Sequence, residues 1–191
     1  MEIIERAIRD SIEVKKSFLN DAEQLELIKT AGELCIESFN QDGKMLLCGN
    51  GGSAADAQHI AAELSARFQL DRKPLYAEAL HVNSSYVTAV ANDYDYSKVF
   101  SRMVEAAGRE GDILVGISTS GNSANVLNAL KQAKKQGMIT IGLTGSNGGS
   151  MADLCDVCIK VPSNNTARIQ EVHILIGHIL CEKIETTLFH H

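Results

Sequence analysis

Three groups of residues in this chain could do chemistry. The first is His59 with Glu63, four residues apart in a stretch of helical character, so that imidazole and carboxylate share one face. Such a pair can ligate a metal or exchange protons with a substrate; taken alone it also reads as an ordinary surface contact. The second is His178, set among Ile169, Val172, Ile174, Leu175, Ile176, Ile179, Leu180 and Ile184. A histidine in so apolar a helix needs a polar partner, which a functional site or a satisfied core contact would each supply. At roughly 100° per residue Glu171 falls on the His178 face and Gln170 about 80° away, so periodicity alone pairs His178 with Glu171. The third group is Ser118-Thr119-Ser120-Gly121-Asn122-Ser123, four hydroxyls and a glycine ahead of a helix. Free N–H groups and the helix dipole favour an anion there. One residue suffices to cap a helix, so the surplus of hydroxyls points to a phosphate. The loop lacks the Gly-Lys-Ser/Thr of a Walker motif.

Two further glycine-rich loops follow apolar runs. Gly49-Asn50-Gly51-Gly52-Ser53-Ala54 loosely matches the dinucleotide fingerprint G-x-G-x-x-A. That fingerprint wants an acidic residue closing the second strand; here Leu80-His81 closes it and Glu78 lies inside. The alternative is a tight loop where substrate lies on bare backbone, with Asn50 and Ser53 adding side-chain bonds. Thr144 through Gly149 reads as a structural turn.

These residues need a scaffold. The chain has 191 residues, 45% hydrophobic and 22% charged, the ordinary globular mix and enough for one core without staples. One domain over 1–191 is expected, with helices at about 2–19 and 21–40 forming a hairpin against the sheet or in an oligomer interface. Apolar runs at 45–48, 76–80, 113–117, 139–143 and 157–161 read as strands buried on both faces. Helical patterns at about 53–68, 97–107 and 122–136 alternate with them, and a last helix runs from about 166 to 188. This predicts a three-layer α/β/α sandwich around a five-stranded parallel sheet of flavodoxin-like winding, with ligands beyond the carboxyl ends of the strands. The last helix, apolar nearly all round, is expected in a subunit interface.

Composition excludes several partners. A formal net charge of −6 disfavours nucleic-acid backbone binding, and no apolar run suits a membrane span. The start lacks the pattern of a signal peptide, so a cytoplasmic location is expected. Five cysteines, an odd number, fit free thiols in a reducing compartment. Cys155 and Cys158 form a C-x-x-C, but on a strand residues three apart point to opposite faces, so they read as core. His190 and His191 are assigned no role.

The stretch Gly49 through Glu63, together with Ala91-Asn92-Asp93, Gly108-Arg109-Glu110-Gly111-Asp112, Ser118 through Ala124 and Ala167-Arg168-Ile169-Gln170-Glu171, resembles the sugar isomerase (SIS) domain family, and within it the bacterial phosphoheptose isomerases. The resemblance spans nearly the whole chain. It implies interconversion of sedoheptulose 7-phosphate and D-glycero-D-manno-heptose 7-phosphate, the first step toward ADP-heptose for surface glycans, in a cytoplasmic homotetramer with sites at subunit interfaces. It implies that Asn50, Gly51, Gly52, Ser53, Glu63, Asn92, Asp93, Ser118, Thr119, Ser120, Ser123 and Gln170 bind substrate. Glu63 and His178 would be the acid–base pair, and His59, Glu63, Gln170 and His178 would hold one Zn²⁺. It thus favours Gln170 where periodicity favours Glu171. Asn83 stands where such proteins commonly carry Asp, which would remove a charge near the pocket. The rival readings are a non-catalytic SIS-domain protein of the replication initiator-associating type, whose members lack the matching glutamate and second histidine, and an isomerase of another phosphosugar.

Overall fold

In a computed structural model describing residues 1–189, the apolar runs form a five-stranded sheet, all pairings parallel. Its strands are β1 (Met45–Gly49), β2 (Ala77–Ala79), β3 (Ile113–Ile117), β4 (Ile139–Thr144) and β5 (Val157–Lys160), in the order β2-β1-β3-β4-β5. Met45 lies opposite Ala77 on one side and Ile113 on the other. Every position of β1 and β3 is buried, as continuous hydrophobicity requires of central parallel strands. The winding reverses between β1 and β3. The crevice beyond their carboxyl ends is therefore the expected ligand site, and the glycine loop and the serine loop both open there.

One face of the sheet carries α1 (Glu2–Leu19), α2 (Ala22–Asn40), α3 (Gly52–Ser65) and α7 (Thr166–Phe189); the other carries α4 (Ser84–Asp93), α5 (Val99–Ala107) and α6 (Ala124–Lys135). Ile28, Cys35, Leu64 and Ile176 pack with Leu47 and Val115 on the first side, and Phe100, Val104 and Leu130 pack with Leu46 and Leu114 on the second. The three-layer sandwich is as expected. The sequence reading passed over α4, whose Ser-Ser-Tyr-Val-Thr start carries no clear apolar repeat. Its one local signal is Asn83, whose Oδ1 caps the helix by accepting from the Tyr86 N–H at 3.0 Å. Capping is a task Asn and Asp perform equally well, so the Asn83 departure has a structural outlet rather than a demonstrated effect on a pocket. The Gly108–Asp112 run also proves structural: buried Asp112 accepts from the Lys44 and Arg109 N–H groups and pairs with Lys44 Nζ, clasping the starts of β1 and β3.

Most of the apolar surface of α7 packs within its own chain. Gly177 lets α3 approach so closely that an added Cβ would lie 2.5 Å from Ile60 Cδ1, and of the large apolar residues of this helix Leu175 and Ile179 stay exposed. One expectation is corrected: Cys155 precedes β5 rather than lying on it, so strand alternation does not separate it from Cys158. The two sulfurs meet over Gly142, and both residues are half-buried. The core reading holds for Cys35, Cys48 and Cys181.

The helix expected over 53–68 stops at Ser65 because the next N–H groups have another acceptor. Glu185 of α7 takes those of Phe68 (3.3 Å), Gln69 (2.8 Å) and Leu70 (2.7 Å), and the Arg72 Nε–H at 2.9 Å. The remaining Arg72 nitrogens donate to the carbonyls of Leu64 (2.7 Å) and Glu63 (3.0 Å), which the end of α3 leaves unpaired. Both side chains are 2% exposed. Burial pushes the Glu185 carboxyl up, but the three backbone N–H groups and the guanidinium outweigh it and hold the group below its ordinary value of 4.5. A depressed folded-state pKa contributes stability that is present above the unfolded value and is lost as pH falls through the folded one. Arg72→Met, which strands a buried carboxylate, should therefore cost roughly 3–5 kcal/mol of unfolding free energy at neutral pH. Glu185→Gln should flatten the acid limb of the stability curve. Urea titrations at successively lower pH check both, and an unchanged acid limb in Glu185→Gln would remove the clamp from the account of acid stability.

Candidate active site

β1 ends in Gly49 and the chain turns through Gly51 at φ +56° and ψ −121°, a conformation that residues with a Cβ rarely adopt. That turn launches α3 from the switch point, with buried Ser53 in its first turn. Two turns on, His59 Nε2 lies 3.1 Å from Glu63 Oε1. The His178 ring from α7 meets the His59 ring edge-on, with centroids 5.0 Å apart at 79°, while Phe68 stacks on it at 5.7 Å and 26°. One ligand atom from each of His59, Glu63 and His178 lies within 4.8 Å of the others, the only His/Cys/Asp/Glu cluster of this kind among the described residues. The residues expected to share the chemistry thus come together from two helices far apart in the chain. The Arg72–Glu185 clamp helps to bring them there, since it grips the Glu63 carbonyl, the Phe68 N–H and α7 at once.

Gln170 lies on the start of α3: a Cβ on Gly52 would come within 2.6 Å of Gln170 Nε2 and 2.9 Å of its Oε1. Glu171, the periodic choice, turns away. It pairs with Arg168, which also donates to the Ala7 carbonyl of α1 at 2.6 Å. The periodic expectation fails because a site between two helices depends on where they touch, not on angles within one of them.

The serine loop after β3 is held by its own hydroxyls. Ser118 Oγ lies 2.9 Å from Ser123 Oγ and 3.4 Å from Ser120 Oγ, and Ser120 Oγ accepts from the Asn122 N–H at 3.2 Å. Ser123 precedes α6 without a capping bond of its own, so the helix N-terminus keeps free donors. The loop after β4 is more than a turn. Gly145 N–H donates to the Thr119 carbonyl at 3.1 Å and Met151 N–H to the Gly121 carbonyl at 3.1 Å. At Gly121 (φ +65°) an added Cβ would sit 2.0 Å from the Gly148 oxygen. Between the two loops and the start of α7 lies a cavity of about 320 Å³ lined by Thr119, Ser120, Asn122, Ser146, Asn164 and Thr166 among others. Its donors are neutral hydroxyls, amides and backbone.

Asn50 is fixed by a residue the sequence reading missed. Asn50 Nδ2 donates to Asn125 Oδ1 at 2.9 Å and Asn125 Nδ2 returns a bond to Asn50 Oδ1 at 2.8 Å, with Tyr96 OH donating to the same Oδ1 at 3.3 Å. Buried Asn125 follows the serine loop directly, and only its adjacency to that motif could have signalled it. Asp56 lies one turn before His59; burial raises its carboxyl, and its Oδ2 is buried without a hydrogen-bond partner among the described residues. By contrast Asn92 and Asp93 sit exposed at the end of α4, where Asn92 Nδ2 donates to Asp93 Oδ1 at 2.9 Å, and neither is hydrogen-bonded to the histidine–glutamate cluster. His173, one turn before Gly177, is fully buried with its Nε2 3.2 Å from the Thr144 carbonyl; burial lowers it to about 4 and keeps it neutral.

A parallel sheet with this winding, a hydroxyl-lined cavity at its carboxyl edge and an imidazole–carboxylate cluster between helices define an α/β protein of the sugar-isomerase class. The chain belongs to the SIS domain family, whose model matches residues 10–145. It is 52% identical over 186 residues to the phosphoheptose isomerase of Clostridium acetobutylicum, covering 97% of this chain and 95% of that one. To that of a Roseiflexus species it is 53% identical over 182 residues, covering 95% and 91%. Among solved structures, the phosphoheptose isomerase of Neisseria gonorrhoeae matches with a TM-score of 0.91 at 46% identity, covering 97% of this chain and 98% of that one.

Proposed function

We propose that this chain is an aldose–ketose isomerase interconverting sedoheptulose 7-phosphate and D-glycero-D-manno-heptose 7-phosphate, the entry to ADP-heptose formation. The observation that carries the reading is the meeting of Glu63 and His178 within 4.8 Å, in a chain about half identical to phosphoheptose isomerases over nearly its full length. The ketose carbonyl acidifies the proton on C1. The Glu63 carboxylate removes it, giving an enediolate, and returns it at C2; His178 exchanges a proton with the oxygens as charge moves between them. The serine loop and the 320 Å³ cavity take the phosphate, and the binding energy of that remote group orients the reacting carbons. Asn50, held by Asn125, together with Gly51, Gly52 and Ser53 lines the sugar on the β1 side, with Asn92 and Asp93 as further contacts. The non-catalytic rival is disfavoured because both acid–base residues are present and adjacent.

The donor set suits a zinc ion. Two imidazoles and a carboxylate within 4.8 Å are the ligand types that ion takes, and Gln170, whose side chain lies over Gly52 at the start of α3, would add an oxygen. Bound by His59, Glu63, Gln170 and His178, Zn²⁺ would polarise the sugar oxygens as a Lewis acid. A homotetramer is the assembly we propose. Ile4, Ile8 and Ile12 of α1 are 55%, 56% and 46% exposed along one face, an apolar stripe of the kind that marks association sites. The five free thiols agree with a reducing, cytoplasmic setting.

Three measurements test this. Glu63→Gln should lower turnover of sedoheptulose 7-phosphate on the order of 10²–10⁴-fold with the fold intact, whereas Ser120→Ala should raise KM first; near-normal turnover in Glu63→Gln would discard the proton-transfer role. Protein purified without chelator should contain about one zinc per chain, and chelation should lower its melting temperature; metal-free protein with full activity would refute the metal site. Light scattering should give the mass of four chains, and Ile8→Asp should reduce it. A wild-type mass of one chain would end the assembly proposal.

A further inference from the structure

We propose that Cys155 and Cys158 form a reversible dithiol–disulfide site that exchanges with small-molecule disulfides. The geometry is specific. Gly142 on β4, the Cα partner of Cys158, leaves the space for both thiols: a Cβ there would lie 2.7 Å from the Cys155 sulfur and 3.4 Å from the Cys158 sulfur. The bend between the cysteines is tied to β4 through Thr140. Asp156 Oδ2 accepts from the Thr140 N–H (2.8 Å) and Oγ1 (2.7 Å), and the Asp156 N–H donates back to Thr140 Oγ1 at 3.0 Å. Cys158 lies on the edge strand and Cys155 just ahead of it, and both are half-buried, so a small reagent can reach them, unlike buried Cys35, Cys48 and Cys181.

The two thiols are chemically unequal. The hydrogen bond from Cys155 holds Cys158 below the usual thiol value against the effect of burial, with Lys160 assisting; Cys155 is pushed up by the same bond, by burial and by Asp156, with Lys134 opposing. The thiolate is the attacking species. Cys158 therefore attacks one sulfur of the small disulfide, forming a mixed disulfide and expelling one small thiolate. Cys155 then loses its proton and attacks the Cys158 sulfur, closing the intramolecular bond and releasing the second small thiol. Two protein thiols are oxidised and one small disulfide is reduced to two thiols.

The test uses the whole protein and reads thiols rather than isomerisation. The chain is equilibrated across a series of glutathione to glutathione-disulfide ratios, quenched in acid, alkylated after unfolding and digested for mass spectrometry. The peptide holding both cysteines should lose two hydrogens as the disulfide fraction rises and regain them on reduction, while Cys35, Cys48 and Cys181 stay alkylatable. In Cys155→Ser, Cys158 should retain glutathione and react on the order of tenfold or more faster than Cys155 does in Cys158→Ser. Two reduced thiols across the whole series would overturn the site, and equal rates in the two variants would overturn the assignment of Cys158 as attacking group.

Discussion

The buried pairing of Glu185 with Arg72 is the constraint on which the site depends. A buried ion pair adds little net stability over apolar groups of similar shape, because desolvation offsets the attraction. What it contributes here is position. The carboxylate gathers three successive backbone N–H groups just past α3, and the guanidinium takes two carbonyls from the last turn of that helix. Every buried donor and acceptor in this knot is satisfied only when α3 and α7 sit at one register. That register puts Glu63 beside His178 and lays Phe68 against the imidazole. A slip of either helix would leave charges buried without partners, a far larger penalty than any loss of contact in the site itself.

The cavity proposed for the phosphate follows a different principle. The chain is acidic overall, yet the cavity beyond β3 and β4 is lined by hydroxyls, amides and backbone without a lysine or arginine. Its two loops are tied by backbone hydrogen bonds and by the close approach of Gly121 to Gly148. Preorganised neutral dipoles can hold an anion because their orientation is fixed before the ligand arrives. The same loops continue, through Met151 and its bond from the Cys155 N–H, to the turn that carries the cysteine pair.

Much of the architecture was legible because the signals were local. Among the described residues, continuous apolar runs named all five strands, and their spacing named six of the seven α-helices. The exception, α4, starts with polar and β-branched residues and announces itself only by the Asn83 cap. The glycine and serine loops were legible as motifs, since a glycine-only backbone angle and a row of hydroxyls are written in residue identity. Asn125 and Tyr96 were not, because their part in holding Asn50 exists only across the crevice.

Residue order alone determined that a parallel sheet would form, that its loops would gather at one edge, and which residues were chemically equipped for work there. Tertiary structure decided which of them meet. It joined His59 and Glu63 to His178, placed Gln170 rather than Glu171 over α3, and brought Cys155 and Cys158 face to face. The physical reason is common to all three. Periodicity describes a residue relative to its own helix or strand, whereas a contact between elements depends on their packing register, which buried charges and glycine gaps elsewhere in the chain fix.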